Sequence, residues 1–532
     1  MYHRSLYFFL TLALLGSCTP LPPSSPQHLP ISHTSSGHLH GFVNPAFPDV
    51  HQFLGIPFAH QPVGARRFLP PSRFYSHSSI VNATNIGVAC PQQLLDTTPL
   101  LNGSVFASNG GNRTEFFPDP KNSSGFGEEC LTLNVWAPAR STSTCAEQES
   151  GTEKEGLPVI IWYFGGGFIQ GGTSALYFNP QSWVQRSQEH IVVTVNFRSN
   201  IFGFPNSRDL RNQNLGLMDQ RMALEWTRDN IARFGGDPSR IVDWGESAGA
   251  IAADLLNFAY PDDPIVHGRI LDSGTVFFPS GTRSIDTAQM NFSGVAAEVG
   301  CSHLANTKWK SEIECMRSLP WQNITAAAVK TQELRPPLNA AFLPVVDEKI
   351  VFANYTHRFG LGAFSDVPYI IGSNQHELAA LQASPPPTTA SWDNKFDETS
   401  NATFLCNAAT ASKLRTENCR TTYRYRYDGD FRDVSPEKYA GAYHSSELPL
   451  LFGTAGLFHG EATEYELEVG REMQDLWVEF AKDPEGGLEK AGWPKFDSGM
   501  AVLIGGVEIP VDVIQVDMLD GICGNIQILS GA

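Results

Sequence analysis

Cationic side chains are scarce in this chain, with 37 Lys and Arg against 55 Asp and Glu and a formal charge of −18. No basic stripe offsets the excess, so nucleic acid and anionic membrane would be repelled, and neither is expected as a partner. Long apolar runs are also missing. The run from Leu6 to Leu15 falls short of the roughly 18 residues that a spanning helix needs, and no later stretch approaches that length. A stable membrane anchor is therefore not expected. No Cys-x2-Cys spacing occurs, so no metal site is expected either. Internal repeats and interdomain linkers are absent, which favours one large domain over residues 37–532, and an apolar fraction of 42% suffices for its core.

What is present begins with MYHRSLYFFLTLALLGSC, a basic start followed by a short apolar run and small residues, which reads as a signal peptide over 1–18. LGSC at 15–18 also resembles a bacterial lipoprotein box. Residues 19–36, including PLPPSSPQHLP, read as a Pro-rich extended leader. Glycosylation sequons start at Asn82, Asn102, Asn112, Asn122, Asn291, Asn323, Asn354 and Asn401, as expected of a secreted glycoprotein. Beyond Cys18 an even set of cysteines remains, Cys90, Cys130, Cys145, Cys301, Cys315, Cys406, Cys419 and Cys523, which suggests disulfides in an oxidising compartment.

Several runs are too short and too β-branched for helices: PVIIWYF (158–164), IVVTVNF (191–197), RIVDW (240–244), GRILDSG (268–274) and PYIIG (368–372). Their continuous hydrophobicity predicts strands buried on both faces of a parallel sheet. Helical stretches alternate with them, QRMALEWTRDNIARF (220–234) and AGAIAADLLNFA (248–259) among them, which predicts an α/β fold with helices on both faces. TTYRYRY reads as a further, alternating strand. The polar patch at 141–156 lies between strand-like LTLNVWAP and LPVIIWYF and reads as a hairpin loop.

DWGESAGAIAADLL, residues 243–256, places Ser247 between Gly245 and Gly249 at a strand-to-helix junction. G-x-S-x-G in that context is a nucleophile elbow, a strained turn that exposes the hydroxyl and puts the next amide, of Ala248, beside the reacting carbonyl. The competing reading is a serine that merely caps the helix. A serine nucleophile needs a base and an orienting carboxylate. Glu377 follows the strand in YIIGSNQHE, and His444 follows the next strand in GAYHSSELPLLFG. By spacing alone His376, His459, Asp366 and Asp428 remain rivals. FGGGF (164–168) follows the strand PVIIWYF, and Gly166 and Gly167 could present amides to an oxyanion with Ala248 as a third donor. A phosphate loop would want Lys and Ser or Thr after the glycines, whereas Phe168 and Ile169 follow.

FLGIPFAHQPVGARRFLPP, ACPQ, EECLTLNVWAP, WYFGGGFIQGG, VNFRSNIFGF, NLGLMDQRMALEWTRDNIARFGGDPSRIVDWGESAGA, IIGSNQHE, YHSSELPLLFG and WPKF occur in this order. With them the chain resembles the type B carboxylesterase/lipase family of cholinesterase-like α/β-hydrolases, and in particular its secreted fungal members. The resemblance runs from about Gly37 to the C-terminal region. It implies an α/β-hydrolase fold, a Ser247, Glu377 and His444 triad, and carboxylic ester hydrolysis without a cofactor. It also implies disulfides Cys90–Cys130 and Cys301–Cys315. Cys406–Cys419 is expected from proximity, which leaves Cys145 and Cys523 paired with each other or free.

Leu378 stands where the family often has Gly after the acid, and Phe164 where some relatives have His. Cholinesterases carry a choline-binding Trp between the first two cysteines, but no Trp lies between Cys90 and Cys130. The expected substrate is thus a small neutral ester of short to medium chain length. A true lipase is the alternative, with Leu94, Leu95, Leu100, Leu101, Val105 and Phe106 as an apolar lid, although sugars at Asn102, Asn112 and Asn122 would oppose contact with oil. A non-catalytic adhesion protein of neuroligin type is a further alternative, but such relatives lose the serine and carry a membrane anchor. No residue pattern sets the oligomeric state.

Overall fold

The structure is a computed structural model that describes residues 29–76, 78–92, 115–118, 125–139, 155–279, 281–302, 309–333, 342–380, 395–435 and 440–525. The expected signal peptide, Cys145, Asn102, Asn112, Asn122 and the six apolar lid residues lie outside these ranges.

In chain order the strands are β1 Ile31–Thr34, β2 Gly37–His40, β3 Phe42–Val43, β4 Val50–Pro57, β5 Ile80–Asn82, β6 Thr132–Pro138 and β7 Leu157–Tyr163. There follow β8 Ile191–Val195, β9 Gly236–Glu246, β10 Gly268–Asp272, β11 Tyr369–Asn374, β12 Thr422–Tyr427, β13 Met500–Ile504 and β14 Val511–Gln515. A small sheet has the order β1-β2-β5, and an 11-stranded sheet has the order β14-β13-β12-β11-β10-β9-β7-β8-β6-β4-β3. The block from β13 to β8 is parallel throughout, and antiparallel strands flank it on both sides. This is the α/β-hydrolase architecture, with most of each expected apolar run in a parallel strand.

Neighbouring residues on β7 show why those runs are continuous rather than alternating. Successive side chains on a strand point to opposite faces, and here both faces are covered. Trp162 packs on Phe452, and Tyr163 on the other side directs its hydroxyl at the Gln220 carbonyl in the helix Leu215–Asn230.

Three expectations are corrected. β1 pairs antiparallel with β2, so the ordered chain reaches back into the expected leader. LTLNVWAP and LPVIIWYF do form strands β6 and β7, but β8 lies between them, so 141–156 does not close a hairpin. β12 does not alternate in burial: five of its six residues are buried, including Arg424, which Asp520 neutralises at 3.2 Å. A charged residue fits inside because its partner comes from beyond β14, a contact invisible to local pattern.

Cys90–Cys130 and Cys301–Cys315 are bonded. The pairing of Cys406 with Cys419 is overturned, because Cys406 bonds Cys523 with a Cα separation of 5.3 Å and Cys419 is free and exposed. Cys406 opens the helix Cys406–Glu417 and Cys419 lies just past its other end. At a rise of about 1.5 Å per residue the two are roughly 20 Å apart, well beyond disulfide reach.

Candidate active site

Ser247 sits between β9 and the helix Ala248–Ala259 with φ 56° and ψ −123°. That backbone is strained for any residue with a side chain, typically by about 1 to 3 kcal/mol, and persists only where neighbours enforce it. They do so here: the Ser247 amide donates to the Asp272 carbonyl at 2.8 Å, and its carbonyl accepts from the Ile251 amide at 2.9 Å. Gly249 is required because a Cβ there would lie 2.0 Å from the Tyr163 carbonyl oxygen. Although Ser247 occupies the helix N-cap, its side chain makes no capping hydrogen bond. The hydroxyl is thus not spent on capping the helix.

The glycine run lies directly against this turn. A Cβ on Gly165 would come within 2.9 Å of the Ser247 Cβ. Gly166 and Gly167 have φ of 100° and 65°, which turn the chain sharply beside the serine. Gln92 braces the loop from ACPQ, donating to the Gly171 carbonyl and accepting from its amide, both at 2.7 Å. The Ala248 amide opens the helix, whose dipole favours negative charge at that end.

Glu377 and His444 come together after β11 and β12. Nδ1 of His444 lies 2.6 Å from Oε2 of Glu377, and Oε1 of Glu377 accepts from the Asn374 amide at 2.7 Å. An isolated bridge between His376 and Tyr443 ties the two segments together. The ring's other nitrogen, Nε2, faces Oε1 of Glu246 at 3.0 Å, and the Ser445 hydroxyl donates to the same oxygen at 2.7 Å. Among the described residues, no hydrogen bond links Nε2 to Ser247. Burial alone would lower the His444 pKa, but the charges of Glu246 and Glu377 and the Glu377 hydrogen bond outweigh it and raise the pKa to about 9.

The rivals lie elsewhere in the chemistry. Asp366 is an exposed partner of Arg420, Asp428 pairs with Arg426, and His459 pairs with Glu115. His376 lends its amide to the Ala442 carbonyl. Glu246 was missed, though its place directly before Ser247 was a usable signal. Phe404 was missed as well; its ring is 5.1 Å from that of His444 and 5.1 Å from that of Phe278. It rides on a π-turn, Asn401–Leu405, a feature that periodicity does not reveal.

Of the described sequons, Asn82, Asn323 and Asn354 are exposed and Asn401 is half-buried. Asn291 is only 8% exposed within the helix Ile285–Glu298, so a glycan there would displace packed neighbours.

Comparison with known proteins bears on this geometry. The carboxylesterase family matches residues 28–404 and 388–504. The chain is 39% identical over 483 residues to a chlorogenic acid esterase of Aspergillus niger, covering 88% of each protein. It is 37% identical over 514 residues to secreted lipase 5 of Gibberella zeae, covering 94% of this chain and 93% of the relative. Secreted lipase 1 of Botryotinia fuckeliana is 33% identical over 426 residues, covering 75% and 70% respectively.

Proposed function

Because the chain belongs to the carboxylesterase family and is a carboxylic ester hydrolase, we propose that it works through an acyl-enzyme on Ser247, with His444 as general base and Glu377 as its orienting acid. The observation that carries this reading is the 2.6 Å bond from His444 to Glu377 on the same sheet edge as a strained serine whose hydroxyl does not cap its helix. In the first step His444 takes the Ser247 proton as Oγ attacks the ester carbonyl. Nε2 leaves Glu246 for Ser247 to do so. The oxyanion draws on the amides of Gly166, Gly167 and Ala248, whose positions are set before substrate arrives. His444 then returns the proton to the leaving alcohol, and water repeats the sequence to release the acid.

The proposed substrates are small neutral esters of short to medium chain length, acted on outside the cell. Three disulfides and relatives named as secreted support the location, and no helix among the described residues is long and apolar enough to cross a membrane. The names of those same relatives favour a second reading, a lipase acting at an interface. Rates on tributyrin followed through its solubility limit, beside p-nitrophenyl butyrate and butyrylthiocholine, separate the readings. An esterase saturates smoothly and gains little from the choline group, a contact worth about 0.5 to 2 kcal/mol where an aromatic partner exists. A sharp rise at the emulsion point would establish the lipase instead.

A further inference from the structure

Glu115, between Cys90 and Cys130, is buried, with only 3% of its side chain exposed, and its Oε2 lies 2.9 Å from Nε2 of His459. Burial raises its carboxyl pKa above the usual carboxylate range, and the hydrogen bond and charge of His459 offset only part of that rise. A carboxylate held inside the protein this way is costly unless it is paired, so the chain has a reason to keep this contact formed.

The next residue shows what the contact holds. The Phe116 ring stands edge-on to Tyr177 at 4.8 Å and to Tyr443 at 6.3 Å, and Tyr177 in turn meets Phe458, the neighbour of His459, at 5.0 Å. Tyr177 follows the glycine run in the chain, and Tyr443 directly precedes His444. Further bonds make the wall rigid: the Thr454 hydroxyl donates to the Tyr177 carbonyl at 2.9 Å, and the Tyr443 hydroxyl donates to the Val434 carbonyl at 2.9 Å. This one contact therefore pins an aromatic wedge against the segment carrying the imidazole.

We propose that Glu115 and His459 are a positioning pair for catalysis, which through Phe116 and Tyr443 fixes the segment bearing His444. The proposal rests on the reading of His444 as the base. Small displacements far from the reacting atoms can lower turnover by up to about a hundredfold, whereas substrate affinity need not change. Among the described residues neither Glu115 nor His459 bonds Ser247, Glu377 or His444, so loss of the pair should act on kcat more than on KM.

The test uses the full-length protein with Glu115→Ala, Glu115→Gln, His459→Gln and the Glu115→Ala/His459→Gln double variant, with active sites counted by fluorophosphonate labelling. Per labelled site, Glu115→Ala and His459→Gln should each lower kcat about tenfold with KM within about twofold. Glu115→Gln, which keeps the shape and a hydrogen-bond acceptor, should fall in between. The double variant should be no worse than the worse single variant, as expected of one shared interaction. His459 is 19% exposed, so its substitution tests the idea even if Glu115→Ala does not fold. Wild-type kcat per labelled site in the single variants, or penalties that multiply in the double variant, would overturn the proposal. A wild-type protein that neither labels nor hydrolyses esters would instead overturn the catalytic reading beneath it.

Discussion

Nε2 of His444 lies 3.0 Å from Oε1 of Glu246, the residue that directly precedes Ser247. The imidazole is thus held between two carboxylates, Glu377 on Nδ1 and Glu246 on Nε2. Both favour the charged ring, and a charged ring cannot take a proton from serine.

The first prediction follows from that sign. With the His444 pKa raised to about 9, the neutral base accumulates only as pH rises toward that value, so kcat/KM should climb on the alkaline side of neutrality. Glu246→Gln removes one of the two charges and should move this limb to lower pH. A pH profile of the variant beside wild type reads the shift directly, and an unmoved limb would show that Glu246 does not set the base.

Ser247→Ala should abolish hydrolysis without unfolding the protein, because the hydroxyl makes no structural hydrogen bond at the helix cap. Triad members in other hydrolases cost about 10⁴ to 10⁶ in turnover. Activity assays with matched thermal melts test this, and a fluorophosphonate should label Ser247 in the parent and nothing in the variant.

Glu377→Gln should be less damaging than His444→Ala. It keeps a hydrogen-bond acceptor near Nδ1 but loses the charge that would stabilise the imidazolium, whereas His444→Ala removes the proposed base. Steady-state kinetics on both variants decide the order. Full activity in Glu377→Gln would hand the acid role to another carboxylate.

Cys419→Ser should leave stability within about 0.5 kcal/mol of wild type, since the residue is exposed and unbonded. Cys406→Ser should cost far more. Cys406–Cys523 closes a loop of 117 residues, worth roughly 5 kcal/mol in the chain-entropy treatment. Non-reducing peptide mapping with thermal melts tests both, and recovery of a Cys406–Cys419 peptide would refute the pairing.

The parts of this protein legible in its sequence are those governed by local rules. β-Branched apolar runs bury both faces of a strand wherever they fall, so β7 to β11 could be read directly. Gly249 marks a turn that admits no side chain, and so the elbow around Ser247 was visible as a motif. Glu377 and His444 were readable only as candidates, their selection over Asp366, Asp428, His376 and His459 resting on a resemblance. Tertiary structure decided the contacts between distant segments. The helix Cys406–Glu417 carried Cys419 away from Cys406 and the C-terminal region brought Cys523 to it, a pairing that separation along the chain had disfavoured. Glu246 met His444 across 198 positions, and Glu115 met His459 across 344. Sequence patterns report how a residue suits its neighbours in the chain, whereas the charge and position of a catalytic base depend on what the folded sheet places around it.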